Sequence, residues 1–270
     1  MVPPYLQVSS VSLGYGGVRA LFDVSFSLDQ GTMLAVIGAN GAGKSSLARA
    51  ISGLVPLQSG MIRFDGAEIS GRPSHLIQRK GVVYVPEGRG IFRSLTVEEN
   101  LLLAMRHLST RSSRLQAKDF AYELFPALAN RPKQRADTLS GGEQQMLALA
   151  RSYTMDAKLL IVDEPSFGLA PKLVDQVFES LRQATARGIT VIIIEQFVDR
   201  VLSMSDLCLI LAGGAVNWSG PVADARAVLH ERYLGSSTSA NGPPPDHPSG
   251  VEAPAETVAP VNSQRMPDIE

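Results

Sequence analysis

Cysteine is almost missing from this chain: Cys208 is the only one in 270 residues. A single thiol excludes an internal disulfide and any cysteine-built metal centre. It lies within Leu207-Cys-Leu-Ile-Leu211, which marks it as a small core residue. Long apolar runs are missing too; none approaches the roughly 20 residues of a membrane-spanning helix. Met1-Val-Pro-Pro-Tyr5 has neither a basic nor an apolar stretch, so no secretory signal is expected. No basic run occurs anywhere, which removes the electrostatic footprint of a nucleic-acid binder. The expectation is a cytoplasmic protein without nucleic-acid partners.

Charge is divided unevenly. Residues 1–235 hold 24 Lys+Arg against 21 Asp+Glu, a net +3. Residues 236–270 hold Asp246, Glu252, Glu256, Asp268 and Glu270 against Arg265, a net −4. From Ser236 onward Pro, Ser, Gly, Ala and acids dominate without periodicity, so 236–270 is expected to be a disordered tail. The 270 residues are enough for one large or two small domains with a sizeable core, and 1–235 is expected to be the folded domain.

The stretch that organises the body is Gly38-Ala39-Asn40-Gly41-Ala42-Gly43-Lys44-Ser45-Ser46. It fits the phosphate-binding pattern G-x-x-x-x-G-K-[ST] at every fixed position. Met33-Leu-Ala-Val-Ile37 before it is continuously apolar, as a buried parallel strand is. Ser45–Ile51 after it has a helical pattern. Strand, glycine turn and helix together let backbone N–H groups and the positive end of the helix converge on phosphate. Lys44 is expected to reach the outer phosphates, and the Ser45 hydroxyl to ligate Mg²⁺.

The other segments frame that loop. Leu6–Leu28 alternates in places, with Val24, Phe26 and Leu28 on one side, and predicts antiparallel strands. Tyr15, beside Gly16-Gly17, is either a base-stacking residue or an ordinary turn aromatic; spacing does not separate the two. Met61–Phe64 and Gly81–Val85 read as strands, the second ending at the loop Pro86–Gly90. Thr96 and Glu99 have capping-box spacing ahead of a helix. Ser109–Arg114 reads as a polar loop, and Ala117, Phe120, Ala121, Leu124, Phe125 and Leu128 as one apolar helical stripe. About 95–145 therefore forms a helical insertion in an otherwise alternating chain.

Ser140 and Glu143 repeat the capping-box spacing within Leu139-Ser-Gly141-Gly142-Glu143, where two glycines open a helix and bare its first N–H groups. Leu159–Val162 is a buried strand run that ends in Asp163-Glu164. Asp163 there suits a metal held through water, and Glu164 suits polarisation of an attacking water. Pro171 opens a helix that Gly188 stops, Ile189–Ile194 is a strand ending at Glu195-Gln196, and Asp206–Trp218 reads as a closing hairpin.

Taken in this order, Tyr15, Gly38–Ser46, Glu87, Leu139–Glu143, Leu159–Glu164 and Glu195-Gln196 resemble an ABC transporter ATPase over about residues 5–235. Leu139–Glu143 matches that family's signature sequence. Tyr84–Arg89, Ile91-Phe92, Leu95–Leu101, Glu143–Leu147 and Asp163–Pro171 are similar to one branch, the branched-chain amino acid importer ATPases, and to the second of its two ATPase types. The resemblance implies an α/β fold: a RecA-like P-loop core, an N-terminal antiparallel β subdomain and an inserted helical subdomain. It implies that Tyr15 stacks on adenine, that Glu87 contacts Mg²⁺ and faces the permease, and that Ser140, Gly141, Gly142 and Glu143 meet ATP held by an opposite subunit. It further implies a second, different cassette as partner, separate transmembrane permease subunits, an extracytoplasmic substrate-binding protein, and attachment at the cytoplasmic face of the membrane.

Three positions depart from common family usage. Gln196 stands where most members have histidine, although the branch also uses glutamine. Glu87 stands where glutamine is usual, and Arg93 where the branch often has proline. Gln196 leaves a second reading open, a cassette that binds ATP but hydrolyses little. A non-transport role in DNA repair or translation would call for two cassettes, long heptads or a basic face, and the chain has none of these. Similar cassettes serve urea, short amides and other small acids, so the transported substrate is an analogy.

Overall fold

A computed structural model describes residues 3–229; the expected tail at 236–270 and the last residues of the expected domain lie outside them. In chain order the elements are β1 (Leu6–Tyr15), β2 (Val18–Leu28), β3 (Met33–Ile37), α1 (Lys44–Ile51), β4 (Ser59–Phe64), β5 (Ala67–Glu68), α2 (Ser74–Arg79) and β6 (Val82–Val85). Then follow α3 (Val97–Ala104), α4 (Arg111–Leu124), α5 (Pro126–Ala129), α6 (Gly141–Tyr153), β7 (Leu159–Asp163), α7 (Pro171–Ala186) and β8 (Thr190–Ile194). The last are α8 (Val198–Leu202), β9 (Leu207–Ala212), β10 (Ala215–Pro221) and α9 (Val222–Leu229).

Two sheets result. One is antiparallel, in the order β2-β1-β4-β5. The other runs β10-β9-β3-β8-β7-β6; β9, β3, β8, β7 and β6 are parallel and β10 is an antiparallel edge. The central strands are apolar at every position because both faces are covered. Side chains alternate between the faces. Met33, Ala35 and Ile37 join a core with α3, α4, α6 and α7, whereas Leu34 and Val36 join a core with α1 and the antiparallel sheet. The N-terminal strands, the phosphate-loop strand and the helical insertion are thus present as expected.

Three expectations need correction. Ser109–Arg114 is not all loop: Thr110 caps α4 by accepting the Ser113 N–H at 3.1 Å, so the helix begins at Arg111. The apolar stripe 117–128 is not one helix, because Pro126 cannot continue α4; Phe125 becomes a buried cap and α5 restarts behind it. The hairpin's first arm, β9, is also a full member of the parallel sheet, paired with β3 from Leu34↔Leu207 to Ile37↔Ile210. The short helices α2, α8 and α9 carry too little periodicity for a sequence reading. Both expected capping boxes, Thr96/Glu99 and Ser140/Glu143, are formed.

Candidate functional site

Strand order brings the chemistry together. β3, β8, β7 and β6 lie side by side and parallel, so their carboxyl ends share one edge of the sheet. The loop 38–43 follows β3, Glu195-Gln196 follows β8, Asp163-Glu164 closes β7, and Glu87 follows β6. This edge is where open α/β sheets bind ligands. A cleft of roughly 450 Å³ opens there, with Asn40, Lys44, Ser45, Glu87, Glu164 and Gln196 in its wall.

The loop is tightly seated. Gly43 has φ +100°, and a Cβ on it would meet the Ala20 carbonyl oxygen at 2.7 Å, so only glycine fits between loop and β2. Lys44 is 5% exposed; its Nζ donates to the carbonyls of Gly38 at 2.9 Å and Ala39 at 3.1 Å. The ammonium therefore lies across the open side of the loop. Ala42 is buried, Ala39, Asn40 and Gly41 are exposed, and Ser45 and Ser46 are half-buried at the first turn of α1.

Asp163 is 3% exposed. Its Oδ2 accepts the Tyr84 hydroxyl at 2.9 Å, while Oδ1 is buried with no hydrogen-bond partner. A buried carboxylate oxygen without a donor is costly unless a cation or water meets it. Mg²⁺ takes one or two protein oxygens plus phosphate and water, so Asp163 Oδ1 and the Ser45 hydroxyl are a fitting donor set. Burial, and after it the charge of Asp163, push the Tyr84 phenol pKa upward, which keeps it a donor.

Glu164 adopts φ +47°, a left-handed conformation unusual for a residue with a Cβ. Its N–H donates to Ile194 O at 2.9 Å, and its Oε1 accepts the Gln196 side-chain amide at 2.7 Å. Glu195 is only 1% exposed, with Oε1 accepting the Ser166 N–H and Oε2 the Gln196 N–H, both at 3.0 Å.

Not every expected site residue lies in this cleft. Tyr15 is 41% exposed at the end of β1 and is absent from the cleft wall. Arg49 holds its proton more firmly than usual, chiefly through the Tyr15 phenol. Ser140–Glu143 lie apart from the cleft wall, at the start of α6. Ser140 and Gly141 are exposed there, but Gly142 is buried, and a Cβ on it would lie 2.1 Å from Leu173 Cδ1 of α7. Gly142 thus serves helix packing directly. The Glu143 carboxylate is engaged within the chain, accepting the Ser140 N–H at 2.9 Å and pairing with Arg131 at 2.5 Å.

The sequence reading missed four participants. Ala20 and Phe167 line the cleft, and Phe167 is 64% exposed. Tyr84 orients Asp163, though within an apolar strand it reads as core. Arg89, at φ +66°, donates to Gln144 Oε1 at 2.7 Å and so ties the loop that carries Glu87 to α6.

Comparison with known proteins agrees with this geometry. A family model described as ABC transporter matches residues 21–167. The high-affinity branched-chain amino acid transport ATP-binding protein BraG of Pseudomonas aeruginosa is 43% identical, over 85% of this chain and 99% of the relative. The probable branched-chain amino acid transport ATP-binding protein LivF of Archaeoglobus fulgidus is 35% identical, over 84% and 96%. The crystal structure of the ADP conformation of MJ1267, an ATP-binding cassette of an ABC transporter, superposes with TM-score 0.76 at 25% identity, covering 87% of this chain and 98% of that one. A phosphate loop, an acidic strand end and a capped signature helix on this fold, with a family model across more than half of its length, make one conclusion plain: the chain belongs to the ABC transporter family, as one of its ATP-hydrolysing cassettes.

Proposed function

We propose that this cassette powers uptake of branched-chain or closely related amino acids through a separate membrane permease. The observation that carries the substrate class is the 43% identity to a relative named for high-affinity branched-chain amino acid transport, over 99% of that relative. The working unit is a pair of different cassettes at the cytoplasmic face, beneath permease subunits that receive substrate from an extracytoplasmic binding protein. The domain responsible is 1–235, with the helical insertion at about 95–145 and 236–270 as an appendage.

The proposed roles are these. The loop Gly38–Ser46 wraps the phosphates, with the Lys44 ammonium neutralising their charge. Ser45 and Asp163 Oδ1 would hold Mg²⁺, with Glu87 at the rim; when bound, it supplies charge neutralisation at the phosphates. Glu164 accepts a proton from the attacking water, and Gln196 holds the Glu164 carboxylate and donates toward the γ-phosphate. Tyr15 is the candidate for stacking on adenine. The Ser140 hydroxyl and the Gly141 and Gly142 N–H groups, at a helix start capped by Glu143, meet ATP of the opposing cassette. ATP closes the pair and hydrolysis reopens it.

A test uses uptake of labelled leucine, isoleucine and valine in cells whose only copy carries Lys44→Ala. Unlabelled urea, short amides and aromatic acids compete in the wild type. Lost uptake of the aliphatic amino acids supports the proposal. Intact uptake in the variant, with wild-type transport blocked by another competitor, assigns the cassette to that substrate instead. The alternative of a weakly hydrolysing cassette is carried by Gln196, which cannot take a proton as histidine does. It fails if Glu164→Gln abolishes ATP turnover that the wild type shows.

A further inference from the structure

Glu195 is the most deeply buried acid near the cleft, and the hydrolytic scheme above gives it no part. It stands directly after β8, between the strand that carries it and the loop that carries Gln196. Its backbone N–H donates to Val36 O on β3 at 3.3 Å, so the residue is anchored beside the strand that leads into the phosphate loop. Each carboxylate oxygen then accepts one backbone N–H from a different segment. Oε1 takes Ser166, two residues beyond Glu164; Oε2 takes Gln196, its own neighbour. These two contacts flank the Glu164–Gln196 side-chain hydrogen bond on both sides.

Glu164 itself sits at φ +47°. A residue with a Cβ holds that conformation only where its surroundings over-determine it, and such outliers gather at functional sites. The surroundings here are Ile194 O, which receives the Glu164 N–H, and the Glu195 carboxylate, which receives the N–H of Ser166. A carboxylate suits this post because it is acceptor-only at both oxygens. A glutamine would turn its own NH₂ toward one of the two N–H donors, and an apolar residue would leave both unpaired, the Ser166 N–H in a buried position.

We propose that Glu195 is a positioning residue for hydrolysis: its buried carboxylate clamps the chain on either side of the Glu164–Gln196 pair and holds the Glu164 carboxylate in register with the cleft. The inference rests on the reading of Glu164 as the group that polarises the attacking water. Glu195 is 1% exposed and absent from the cleft wall, so it acts through Glu164 and Gln196.

The experiment compares the full-length wild type, Glu195→Gln, Glu164→Gln and the double variant. Three quantities are read: ATP turnover split into kcat and KM, the Kd of a fluorescent non-hydrolysable ATP analogue, and the thermal melt. Glu195→Gln is expected to lower kcat by about tenfold or more while KM and analogue affinity stay within about threefold. In the Glu164→Gln background it is expected to add nothing, because the residue it positions is already gone. A folded Glu195→Gln with wild-type kcat overturns the proposal, and so does a loss of analogue affinity equal to the loss of kcat, or a full multiplicative loss in the double variant. Should Glu195→Gln melt below the assay temperature, Glu195→Asp serves. It keeps the charge but shortens the reach, and wild-type kcat there overturns the clamp. If Glu164→Gln turns over ATP like the wild type, the underlying reading of the cleft fails instead, which separates the two failures.

Discussion

Gln196 Nε2 donates to Glu164 Oε1 at 2.7 Å, across 32 residues of sequence and between the ends of the neighbouring parallel strands β8 and β7. An amide in this position orients a carboxylate without competing with it for a proton. The bond engages Oε1 of the carboxylate, and the proposal gives Oε2 to the attacking water. Removing the charge with Glu164→Gln is expected to lower kcat by about 10²–10⁴-fold, the span of a general base. Gln196→Ala, which leaves the proposed base in place but unheld, is expected to cost less. Steady-state ATPase assays on both variants check the order; equal losses would contradict it.

Lys44 is bonded to the carbonyls that shape its own loop, so its loss affects both charge and loop geometry. Lys44→Ala is expected to weaken binding of an ATP analogue by about tenfold or more, since hydrogen bonds to charged groups contribute roughly 1.5–3 kcal/mol. Fluorescence titration with the analogue checks it. Lys44→Arg is expected to restore little, because the planar guanidinium does not match a site built for a compact ammonium.

Gly142 and Leu173 bring α6 and α7 into contact. Gly142→Val is expected to destabilise the fold by about 1–3 kcal/mol through overpacking. Leu173→Ala in the same chain is expected to return part of that loss, because it vacates the space the new side chain needs. Urea unfolding of the two single variants and the double variant gives the coupling, and strict additivity would rule out the contact as the cause.

The Glu143 carboxyl sets the sign of an expected pH dependence. Burial alone would raise its pKa, but the Ser140 N–H and hydroxyl and the Arg131 charge outweigh it and hold the carboxyl below its ordinary 4.5. A depressed folded-state value means the unfolded chain protonates first. The stabilisation is therefore complete above the ordinary value and fades as pH falls through the lower folded value. The stability difference between wild type and Glu143→Gln is expected to be constant from pH 7 to about pH 5.5 and to shrink steadily below 4.5. Urea midpoints across that range check it; a difference that grows on acidification would reverse the sign.

Much of the fold was legible because its signals are local. A five-residue apolar run, a Ser or Thr three residues before a Glu, and a glycine turn before a helix each act through neighbours within a few positions. The strands β3, β7 and β8, the capping boxes of α3 and α6, and the loop Gly38–Ser46 all formed as read. The same local logic failed at Pro126, where an apolar stripe outvoted a helix breaker, and at Ser109–Arg114, where a polar start hid the Thr110 cap.

The sequence by itself marked the residues proposed to carry chemistry: Lys44, Ser45, Asp163, Glu164 and Gln196 stand out by type and by position after a strand or at its end. Only the tertiary structure decided how they meet. The strand order β3-β8-β7-β6 follows from which apolar faces bury each other across both sides of the sheet, a long-range outcome that no window of sequence contains. The hydrogen bonds of Glu195 to two segments, the grip of Tyr84 on Asp163, the reach of Arg89 to Gln144 and the seating of Gly142 under Leu173 all join residues that become neighbours only after that order is set.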